Sequence, residues 1–324
     1  MSEALKVFLT GGRGFLGQHI LKCCEDQGYE VRALSRTPQS DPRFRCGNLL
    51  EPSGLIDFVE EADVVIHAAG LVSHEAKDSD RVWQANFMAT KNLLELLRTT
   101  KPARLIMLST SGTIAVSEEE RSHTEDSGSP AELIQRWPYY RSKHYAELEA
   151  LKFLEGSATK TYILNPSLLL GPGDEHGRSH KSIHRLLDGS LPGLPGGGLS
   201  FTDVRDVAGL VATLCMKDAE EGRYLLSGCN MSFVDYYQRC GRLAEINPPL
   251  MRIPRFAHKA LRWLPNGNRF LGEVSPEELE LASHFWYVDD SKARDQLNWT
   301  TRDPIDTLLD AISDQRERRS RFQW

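Results

Sequence analysis

The chain has 324 residues, of which 40% are hydrophobic and 26% are charged, and its formal net charge is −6. This composition gives no reason to expect nucleic acid as a partner, and the sequence contains no apolar run of about 18 residues that would span a membrane. Because the amino-terminus leads directly into a predicted strand without a signal peptide, we expect a cytoplasmic protein.

The length suits one large α/β domain, or such a domain with a smaller partner. Six cysteines lie mostly inside apolar helix or strand patterns, and they have neither metal-ligand spacing nor a CxxC pair. The sequence therefore predicts buried, reduced thiols and no metal site.

The first predicted elements are a strand, a tight turn and a helix. Val7 to Leu9 is typical of a buried parallel strand, which leads through Thr10 and four glycines into a helical pattern at Ile20. Glycine allows the turn itself, the approach of backbone N–H groups to a pyrophosphate, and close packing of the helix on the strand. The helix N-terminus then faces the anion. Taken alone, the pattern would also fit a tight turn without a ligand. The glycines are Gly11, Gly12, Gly14 and Gly17.

The end of the second predicted strand, 30–36, is where a dinucleotide fold selects its cofactor. An acidic residue there would bind the ribose hydroxyls of NAD and repel a 2′-phosphate, but this chain has Ser35 and Arg36. Arg13 in the glycine turn can reach the same place, so two guanidinium groups can bind one phosphate. This favours NADP; Arg36 as a solvated charge stacked on the adenine would fit either cofactor.

Two further predicted strands end in residues that suit a ligand crevice. The strand within 62–70 ends in small residues, which let the backbone approach a cofactor. His67 lies at its end, where a lone histidine is more often structural than catalytic. A helix is predicted over 83–98 and contains Asn86, and the next strand, 103–111, ends in three hydroxyl residues.

A tyrosine and a lysine with catalytic spacing open the next predicted helix, which runs from Trp137 to Leu154. Tyr139 and Lys143 are four residues apart, so they share one face of the helix. A neighbouring ammonium group stabilises a phenolate and lowers its pKa, which suits proton transfer near neutral pH. Alone, the pair would fit a solvated helix face.

These motifs occur together and in a specific order. In that order they resemble the extended short-chain dehydrogenase/reductases, the NAD-dependent epimerase/dehydratase family, and the resemblance covers essentially the whole chain. The motifs are Thr10-Gly-x-x-Gly-x-x-Gly17, Ala68-Ala-Gly70, Asn86-x-x-x-Thr90-x-Asn92, Ser109-Thr-Ser111, Tyr139-x-x-Ser-Lys143, Asn165-Pro-Ser167, Gly171-Pro-Gly-Asp174, Phe201–Ala208 and Asp289–Trp299.

The resemblance implies an α/β fold: a Rossmann-type doubly wound parallel sheet with a smaller C-terminal substrate-binding part. The dinucleotide-binding domain is expected over 1–170, together with 199–228 and part of 286–315. The substrate-binding part is expected over 171–198 and 229–285.

The resemblance also implies roles for individual residues. Tyr139 is expected to be the general acid/base, Lys143 to bind the nicotinamide ribose and lower the tyrosine pKa, and Ser111 to bind the reacting oxygen, with Thr110 as the alternative. Asn48 stands where the family usually has an adenine-binding aspartate, and its amide carbonyl can still accept that bond. Arg13 and Arg36 are similar to the paired arginines of NADP-using GDP-fucose synthases. The implied cofactor-binding residues are Thr10, Gly11, Arg13, Gly14, Phe15, Leu16, Gly17, Arg36, Asn48, Leu49, Ala68, Ala69, Gly70, Tyr139, Lys143, Pro166, Ser167 and Leu168.

Two later segments are expected on the substrate side. A basic cluster in 178–185 can bind a diphosphate or another anionic substrate, or can be a solvated loop. Segment 252–264 alternates basic and apolar residues at helical spacing, which predicts an amphipathic helix on the smaller part. A lid over an apolar substrate, or a lipid-contacting surface, is the alternative there. The basic residues are Arg178, His180, Lys181, His184 and Arg185.

Segment 165–172 resembles the dihydroflavonol 4-reductase, cinnamoyl-CoA reductase and 3β-hydroxysteroid dehydrogenase branch, since the nucleotide-sugar epimerases usually carry an arginine before Pro166. We therefore expect an NADP-linked, reversible reduction of a small-molecule ketone or aldehyde to an alcohol. A nucleotide-sugar epimerase or dehydratase that retains NAD is the alternative. The intact Ser111, Tyr139 and Lys143 argue against a binding protein with a degenerate site. The resemblance also implies a homodimer through the helices that carry Asn86 and Tyr139.

Overall fold

The computed structural model describes residues 3–175, 177, 179–256 and 274–322, with side chains described through residue 320. In chain order, the strands in this part are β1 (Lys6–Thr10), β2 (Glu30–Ser35), β3 (Phe44–Cys46), β4 (Val64–His67), β5 (Arg104–Leu108), β6 (Ser122–His123), β7 (Lys160–Pro166), β8 (Leu168–Leu170), β9 (Leu194–Pro195), β10 (Gly198–Asp203), β11 (Gly222–Leu226), β12 (Cys229–Ser232), β13 (Arg252–Ile253) and β14 (Tyr287–Val288). The helices are α1 (Phe15–Asp26), α2 (Ile56–Glu60), α3 (Ser79–Trp83), α4 (Ala89–Thr100), α5 (Ala131–Ile134), α6 (Pro138–Gly156), α7 (Lys181–Leu187), α8 (Val204–Leu214), α9 (Phe233–Ala244), α10 (Pro276–Leu281), α11 (Ser291–Leu297) and α12 (Pro304–Phe322).

Seven of the described strands form one parallel sheet in the order β3-β2-β1-β4-β5-β7-β11. The order of connection reverses between β1 and β4, because α1 follows β1 onto one face while α4 follows β4 onto the other. In doubly wound sheets the crevice beyond the carboxyl ends of such a strand pair binds ligands. The predicted Rossmann-type parallel sheet is confirmed, and its ligand crevice is expected at the ends of β1 and β4.

Both faces of this sheet are buried. Successive residues of a strand point to opposite faces, so Val7 and Leu9 pack with α1, α8 and α11, whereas Phe8 packs with α2, α4 and α6. A strand buried on both faces needs a continuous apolar run, which is the pattern seen in the sequence. Strand β1 therefore lies between two hydrophobic cores, one on each face of the sheet, and contributes side chains to both.

The smaller part has its own sheet and core. Strands β8, β10 and β12 form a three-stranded sheet, and its core includes side chains from α7, α9 and α12. The sequence analysis assigned 168–170 and 199–203 to the dinucleotide-binding domain, and in the structure these residues belong to β8 and β10 of the small sheet. The sequence did not indicate this, because β8 directly follows β7 and β10 directly precedes α8, and both β7 and α8 belong to the large domain.

The C-terminal region divides between the two cores. Ala293, Leu297 and Trp299 pack in the core of the large sheet, whereas Leu308 and Ile312 of α12 pack in the smaller core. Arg205 and Arg302 lie at this junction, and both are ion-paired to Asp203. The two parts are therefore interleaved rather than consecutive along the chain.

Two expectations need correction. The predicted helix over 252–264 begins instead with strand β13, which pairs with β9, and 257–264 lie outside the described residues. Of the cysteines, Cys46 is exposed on the edge strand β3, and Cys23 and Cys229 are only half-buried, whereas the other three are buried as predicted. In the part of the chain that the structure describes, no helix is long and apolar enough to cross a bilayer.

Candidate active site

The glycine turn brings α1 against the ends of β1 and β4. Gly11 has a φ of +79°, and a Cβ on it would lie 2.6 Å from the backbone of Ala68 and Ala69. A Cβ on Gly17 would lie 2.0 Å from the Gly11 carbonyl oxygen. Gly14 is the N-cap of α1 and has no side chain to bond the first N–H groups of the helix. The turn therefore leaves these donors facing the crevice, where an anion is favoured.

A chain of hydrogen bonds links the ends of β1 and β4 to α4. His67 Nδ1 lies 2.8 Å from Thr10 Oγ1, and His67 Nε2 lies 2.8 Å from Thr90 Oγ1. The Thr90 hydroxyl donates to the carbonyl of Asn86, and the N–H of Ala69 donates to Thr10 Oγ1. Since the Thr90 proton is already used, His67 Nε2 must donate to Thr90, and Nδ1 must accept from Thr10. His67 is therefore a neutral structural residue.

The environment of His67 agrees with that assignment. Burial, with a smaller effect of Lys143, lowers its pKa to about 3. A histidine that stays neutral through the whole physiological range cannot exchange a proton with a substrate there. The interpretation of His67 as structural rather than catalytic is thus supported by both its hydrogen bonds and its pKa.

Asn86 lies in a π-helical turn, Gln84–Met88, between α3 and α4. Its amide oxygen accepts from the N–H of Leu71, and its amide nitrogen donates to the Leu71 carbonyl and to Ser142 Oγ. A Cβ on Gly70 would lie 3.2 Å from the amide oxygen. Asn86 therefore holds the loop after β4 against α6, beside Lys143. Single π-turns of this kind often occur at functional sites.

Tyr139 and Lys143 lie one turn apart at the start of α6. The buried ammonium group of Lys143 donates to the carbonyl of Leu108 at 2.6 Å, and a Cβ on Gly70 would lie 3.8 Å from it. The side chain of Thr110 lies beside the Tyr139 hydroxyl and acts to lower its pKa. Ser111, the first choice from sequence, begins the next 3-10 turn and is buried. Which of the two hydroxyls binds the reacting oxygen stays a prediction, with Ser111 as the first choice and Thr110 as the alternative.

Burial sets the pKa values of this pair. It raises the pKa of Tyr139 to about 12, against a lowering effect of the Thr110 side chain. Burial lowers the pKa of Lys143 to about 8, against a raising effect of Glu147. The expectation that the ammonium group lowers the pKa of Tyr139 is not met in this structure, because desolvation of the phenolate dominates and Lys143 is bonded to Leu108.

A buried carboxylate holds the elements around this pair. Glu147 lies one turn beyond Lys143, and its side chain accepts hydrogen bonds from Ser109 Oγ, Thr113 Oγ1 and Asn165 Nδ2. Its other oxygen accepts from Arg223 Nη1 on β11 at 2.9 Å. One side chain thus connects α6 with the ends of β5, β7 and β11. Sequence reasoning missed it, although a second acid four residues after Lys143 on the same helix face was a usable signal.

The adenosine end of the crevice carries two exposed guanidinium groups. Arg13 Nη1 lies 3.4 Å from Thr37 Oγ1, in the segment that includes Arg36, as the sequence suggested. Among the described residues, no carboxylate is paired with Arg13 or Arg36. The hydroxyl of Ser35 donates to the Thr37 carbonyl and shapes the turn after β2. The charges of Arg13 and Arg36 therefore remain available to an anion.

The loop with Asn48 and Leu49 lies beside this end. Asn48 Oδ1 accepts from the N–H of Leu50 at 3.1 Å, and Asn92 Nδ2 donates to the Leu49 carbonyl at 2.9 Å. Because an amide oxygen has two lone pairs, Asn48 can accept a second hydrogen bond from an adenine amine.

The junction from β7 to β8 lies beyond the site and contains Pro166, Ser167 and Leu168. The backbone N–H of Ser167 donates to Leu226, but its buried Oγ has no hydrogen-bond partner among the described residues. A buried hydroxyl of this kind needs a partner. This group and the glycine turn, which a Cβ would fill, both fit a bound dinucleotide.

Three partly exposed rings, those of His74, Tyr140 and Trp286, form a wall beside Tyr139. The ring of Tyr140 lies 5.1 Å from that of Tyr139 and 4.9 Å from that of Trp286. His74 stacks on Tyr140 at 5.3 Å and meets Tyr139 edge-on at 5.7 Å. A Cβ on Gly112 would lie 2.2 Å from the Tyr140 ring, so this glycine is needed for the packing. No motif in the sequence pointed to His74 or Trp286.

The basic cluster on the substrate side is neutralised locally. Each described member faces an acid, and Arg178 lies outside the described residues. Lys181 and Arg185 of α7 share the carboxylate of Glu278, which lies 97 and 93 residues further along the chain. The pairs are Lys181 and Arg185 with Glu278, His184 with Asp188, and His180 with Asp174. In the described part of the cluster, the basic side chains are therefore paired with acids rather than free to bind an anion.

The fold and this arrangement together point to a nicotinamide-dependent family, and comparison decides which. A model of the NAD dependent epimerase/dehydratase family matches residues 7–226, from β1 to β11. The chain belongs to this family. It is an NAD-dependent enzyme of that group, and the sequence-based resemblance to the extended short-chain dehydrogenase/reductases is confirmed.

Individual relatives include both reductases and epimerases. The "Putative dihydroflavonol 4-reductase" of Synechocystis sp. is 27% identical over 324 residues, covering 94% of this chain and 93% of that protein. Among solved structures, gox2253 has a TM-score of 0.82 at 23% identity and covers 98% of this chain and 99% of that one. UDP-glucose 4-epimerase from Thermotoga maritima, with UDP-glucose, has a TM-score of 0.74 at 16% identity, covering 97% and 99%. At these identities the structural likeness shows the fold.

We predict that Gly17→Ala weakens dinucleotide binding by on the order of tenfold to a hundredfold, because overpacking here costs about 1–3 kcal/mol. The new Cβ would lie 2.0 Å from the Gly11 carbonyl oxygen and would move α1 away from the turn. Isothermal titration with NADPH and NADH measures the effect. Gly54→Ala is the matched control, since a Cβ there meets nothing within 4 Å. Equal affinities for the two variants would contradict the prediction.

Proposed function

We propose that this enzyme reduces a ketone or aldehyde to an alcohol, reversibly and with NADPH, and that Tyr139 is its general acid/base. The observation that carries the proposal is the placement of Tyr139 at the crevice, with the Thr110 side chain beside its hydroxyl and with Lys143 one turn along the helix. A pKa raised to about 12 keeps Tyr139 protonated at neutral pH, which is the form that donates to a developing alkoxide.

The chain's own groups supply binding and proton transfer. The Tyr139 hydroxyl gives its proton to the substrate oxygen, while the hydroxyl of Thr110 or Ser111 holds that oxygen in place. Lys143, with a pKa of about 8, carries most of its charge at neutral pH and stabilises the tyrosinate that remains. The aromatic wall beside Tyr139 excludes water from the reacting carbon. When bound, the nicotinamide cofactor supplies the hydride.

Two observations support the NADP preference. Residues 36–40, which directly follow β2, include no acid, and the exposed Arg13 and Arg36 converge on this turn with no carboxylate paired to either among the described residues. A 2′-phosphate would find two charge-assisted partners there, whereas the ribose hydroxyls of NAD would find no carboxylate acceptor.

Electrostatics of the substrate side favour the reductase over a nucleotide-sugar epimerase. A sugar nucleotide brings a diphosphate, whose two charges need unpaired cations. Lys181 and Arg185 instead share the carboxylate of Glu278. The half-buried aromatic wall suits an apolar substrate better. The epimerase or dehydratase remains the second candidate because the same fold carries that chemistry.

A homodimer is part of the proposal. Tyr145 and Leu148 are exposed on α6, and the Tyr145 ring contacts Trp83 and Phe87 on the neighbouring helix. These residues lie on the two helices that the resemblance implies for the interface. Light scattering that gives the mass of one chain would contradict it.

Tyr139→Phe should lower turnover by about 10²- to 10⁴-fold, because it removes the proton donor, and should leave NADPH affinity nearly unchanged. Tyr29→Phe is the matched control, since its hydroxyl bonds only the exposed Gln27 at the opposite end of the sheet. Steady-state kinetics on a ketone and aldehyde panel, with a cofactor titration, measures both effects. Normal turnover by Tyr139→Phe would overturn the catalytic assignment.

Arg36→Ala should weaken NADPH binding by about tenfold or more and leave NADH binding almost unchanged, since only the former carries the 2′-phosphate. Arg13→Ala is expected to act in the same direction. Arg121→Ala, an exposed arginine far from the turn in sequence, is the control. Equal losses for both cofactors would count against the phosphate site.

The nucleotide that accompanies the purified protein separates the two candidate functions. A reductase must exchange its cofactor in each cycle, so we expect protein that purifies without nucleotide and binds NADPH reversibly. Absorbance and mass spectrometry of the denatured protein's supernatant provide the test. Stoichiometric NAD(H) retained through purification would favour the epimerase or dehydratase.

A further inference from the structure

One polar group beside Tyr139 has no role in the chemistry proposed above. His74 lies in the loop after β4, and its ring contacts those of Tyr139 and Tyr140. Its Nδ1 is buried and has no hydrogen-bond partner among the described residues. Buried polar atoms in native proteins are nearly always hydrogen-bonded, so this nitrogen calls for a partner that the chain does not supply.

The position of His74 distinguishes it from another unpartnered nitrogen in the same cluster. Trp137 Nε1 is also without a partner, but the Trp137 side chain is enclosed, with 1% of its surface exposed. His74 is partly exposed and is in edge-on contact with Tyr139 itself. Of these two side chains, His74 alone is both partly exposed and in direct ring contact with Tyr139.

The ring offers a hydrogen bond rather than a charge. Burial lowers the pKa of His74 to about 4, with a smaller raising effect of Glu278 and a lowering effect of Lys181. At neutral pH the imidazole is uncharged, and its Nδ1 either donates or accepts a hydrogen bond according to the tautomer. An uncharged group of this kind discriminates between an oxygen and a methylene on the substrate.

We propose that His74 is a specificity-determining residue whose Nδ1 hydrogen-bonds a second oxygen of the substrate, close to the carbonyl that Tyr139 protonates. The preferred substrates are then ketones with a hydroxyl or carboxylate oxygen on the adjoining carbons, rather than simple ketones. The inference rests on the reductase function proposed above. It is supported by the chemistry of such sites, which reject analogues that lack the bonded oxygen because their own polar group is left unpaired.

Three ketones test this: 2-heptanone and two derivatives that carry a hydroxyl or a carboxylate on a carbon next to the carbonyl. They are 2-heptanone, 3-hydroxy-2-heptanone and 3-oxooctanoate, assayed with NADPH and with NADH. We expect kcat/KM of the wild-type enzyme to be at least about tenfold higher for one of the oxygenated ketones than for 2-heptanone. The hydroxyketone and the carboxylate distinguish which oxygen is recognised.

Two variants test whether a preference for the oxygenated ketones depends on Nδ1 of His74. His74→Phe keeps an aromatic ring but removes the nitrogen, so it should bring the ratio of kcat/KM values close to one by lowering kcat/KM for the oxygenated ketone. His74→Asn places an amide atom near the Nδ1 position and should restore part of the ratio. His184→Phe, at an exposed histidine paired with Asp188 on α7, should leave the ratio unchanged. Thermal unfolding confirms that each variant is folded.

The possible results distinguish a failure of the His74 assignment from a failure of the proposed reductase function. If the wild-type enzyme reduces all three ketones at similar kcat/KM, or if His74→Phe retains the preference, the assignment of His74 is overturned while the reductase stands. If none of the three is reduced with either cofactor, the reductase proposal fails and the inference fails with it.

Discussion

The buried carboxylate of Glu147 is the interaction on which the arrangement of the active site depends. It accepts hydrogen bonds from the ends of β5 and β7 and from Arg223 on β11, and it lies on the same face of α6 as Lys143. Removing one partner of a buried ion pair of this kind costs about 3–5 kcal/mol, because the other charge is left uncompensated. Thr110, Ser111 and Ser167 each lie within two residues of a side chain that donates a hydrogen bond to Glu147, so their positions depend on this carboxylate.

A second constraint is steric and acts at the other end of the crevice. Gly11 and Gly17 leave so little space that the backbone of the turn contacts both Ala68 and the start of α1. Close backbone contact at this point, together with the neutral chain of hydrogen bonds from Thr10 through His67 to Thr90, fixes the ends of β1 and β4. The crevice is therefore rigid at the anion-binding end, where a dinucleotide would be held through N–H groups rather than side chains.

Charge is distributed unevenly between the two ends of the site. Arg13 and Arg36 are exposed at the adenosine end with no carboxylate paired to them among the described residues, whereas the cations of α7 are paired with Glu278. At these two places, exposed positive charge without a carboxylate partner lies beside the turn after β2 and not on α7. The substrate side offers aromatic rings and one uncharged imidazole, a combination that selects by shape and hydrogen bonding.

The sequence by itself determined the fold and predicted which residues lie at the centre of the candidate site. Apolar runs such as Val7–Leu9, the glycine turn and the spacing of Tyr139 and Lys143 are local signals, because each depends on neighbours within a turn or a strand. Other features depended on residues far apart in the chain. The pairing of Arg185 with Glu278, the bond from Arg223 to Glu147, and the placement of β8 and β10 in the small sheet join segments that no periodicity connects. Only the tertiary structure decided these, and only it showed that burial raises the pKa of Tyr139, because desolvation depends on everything that packs around a side chain.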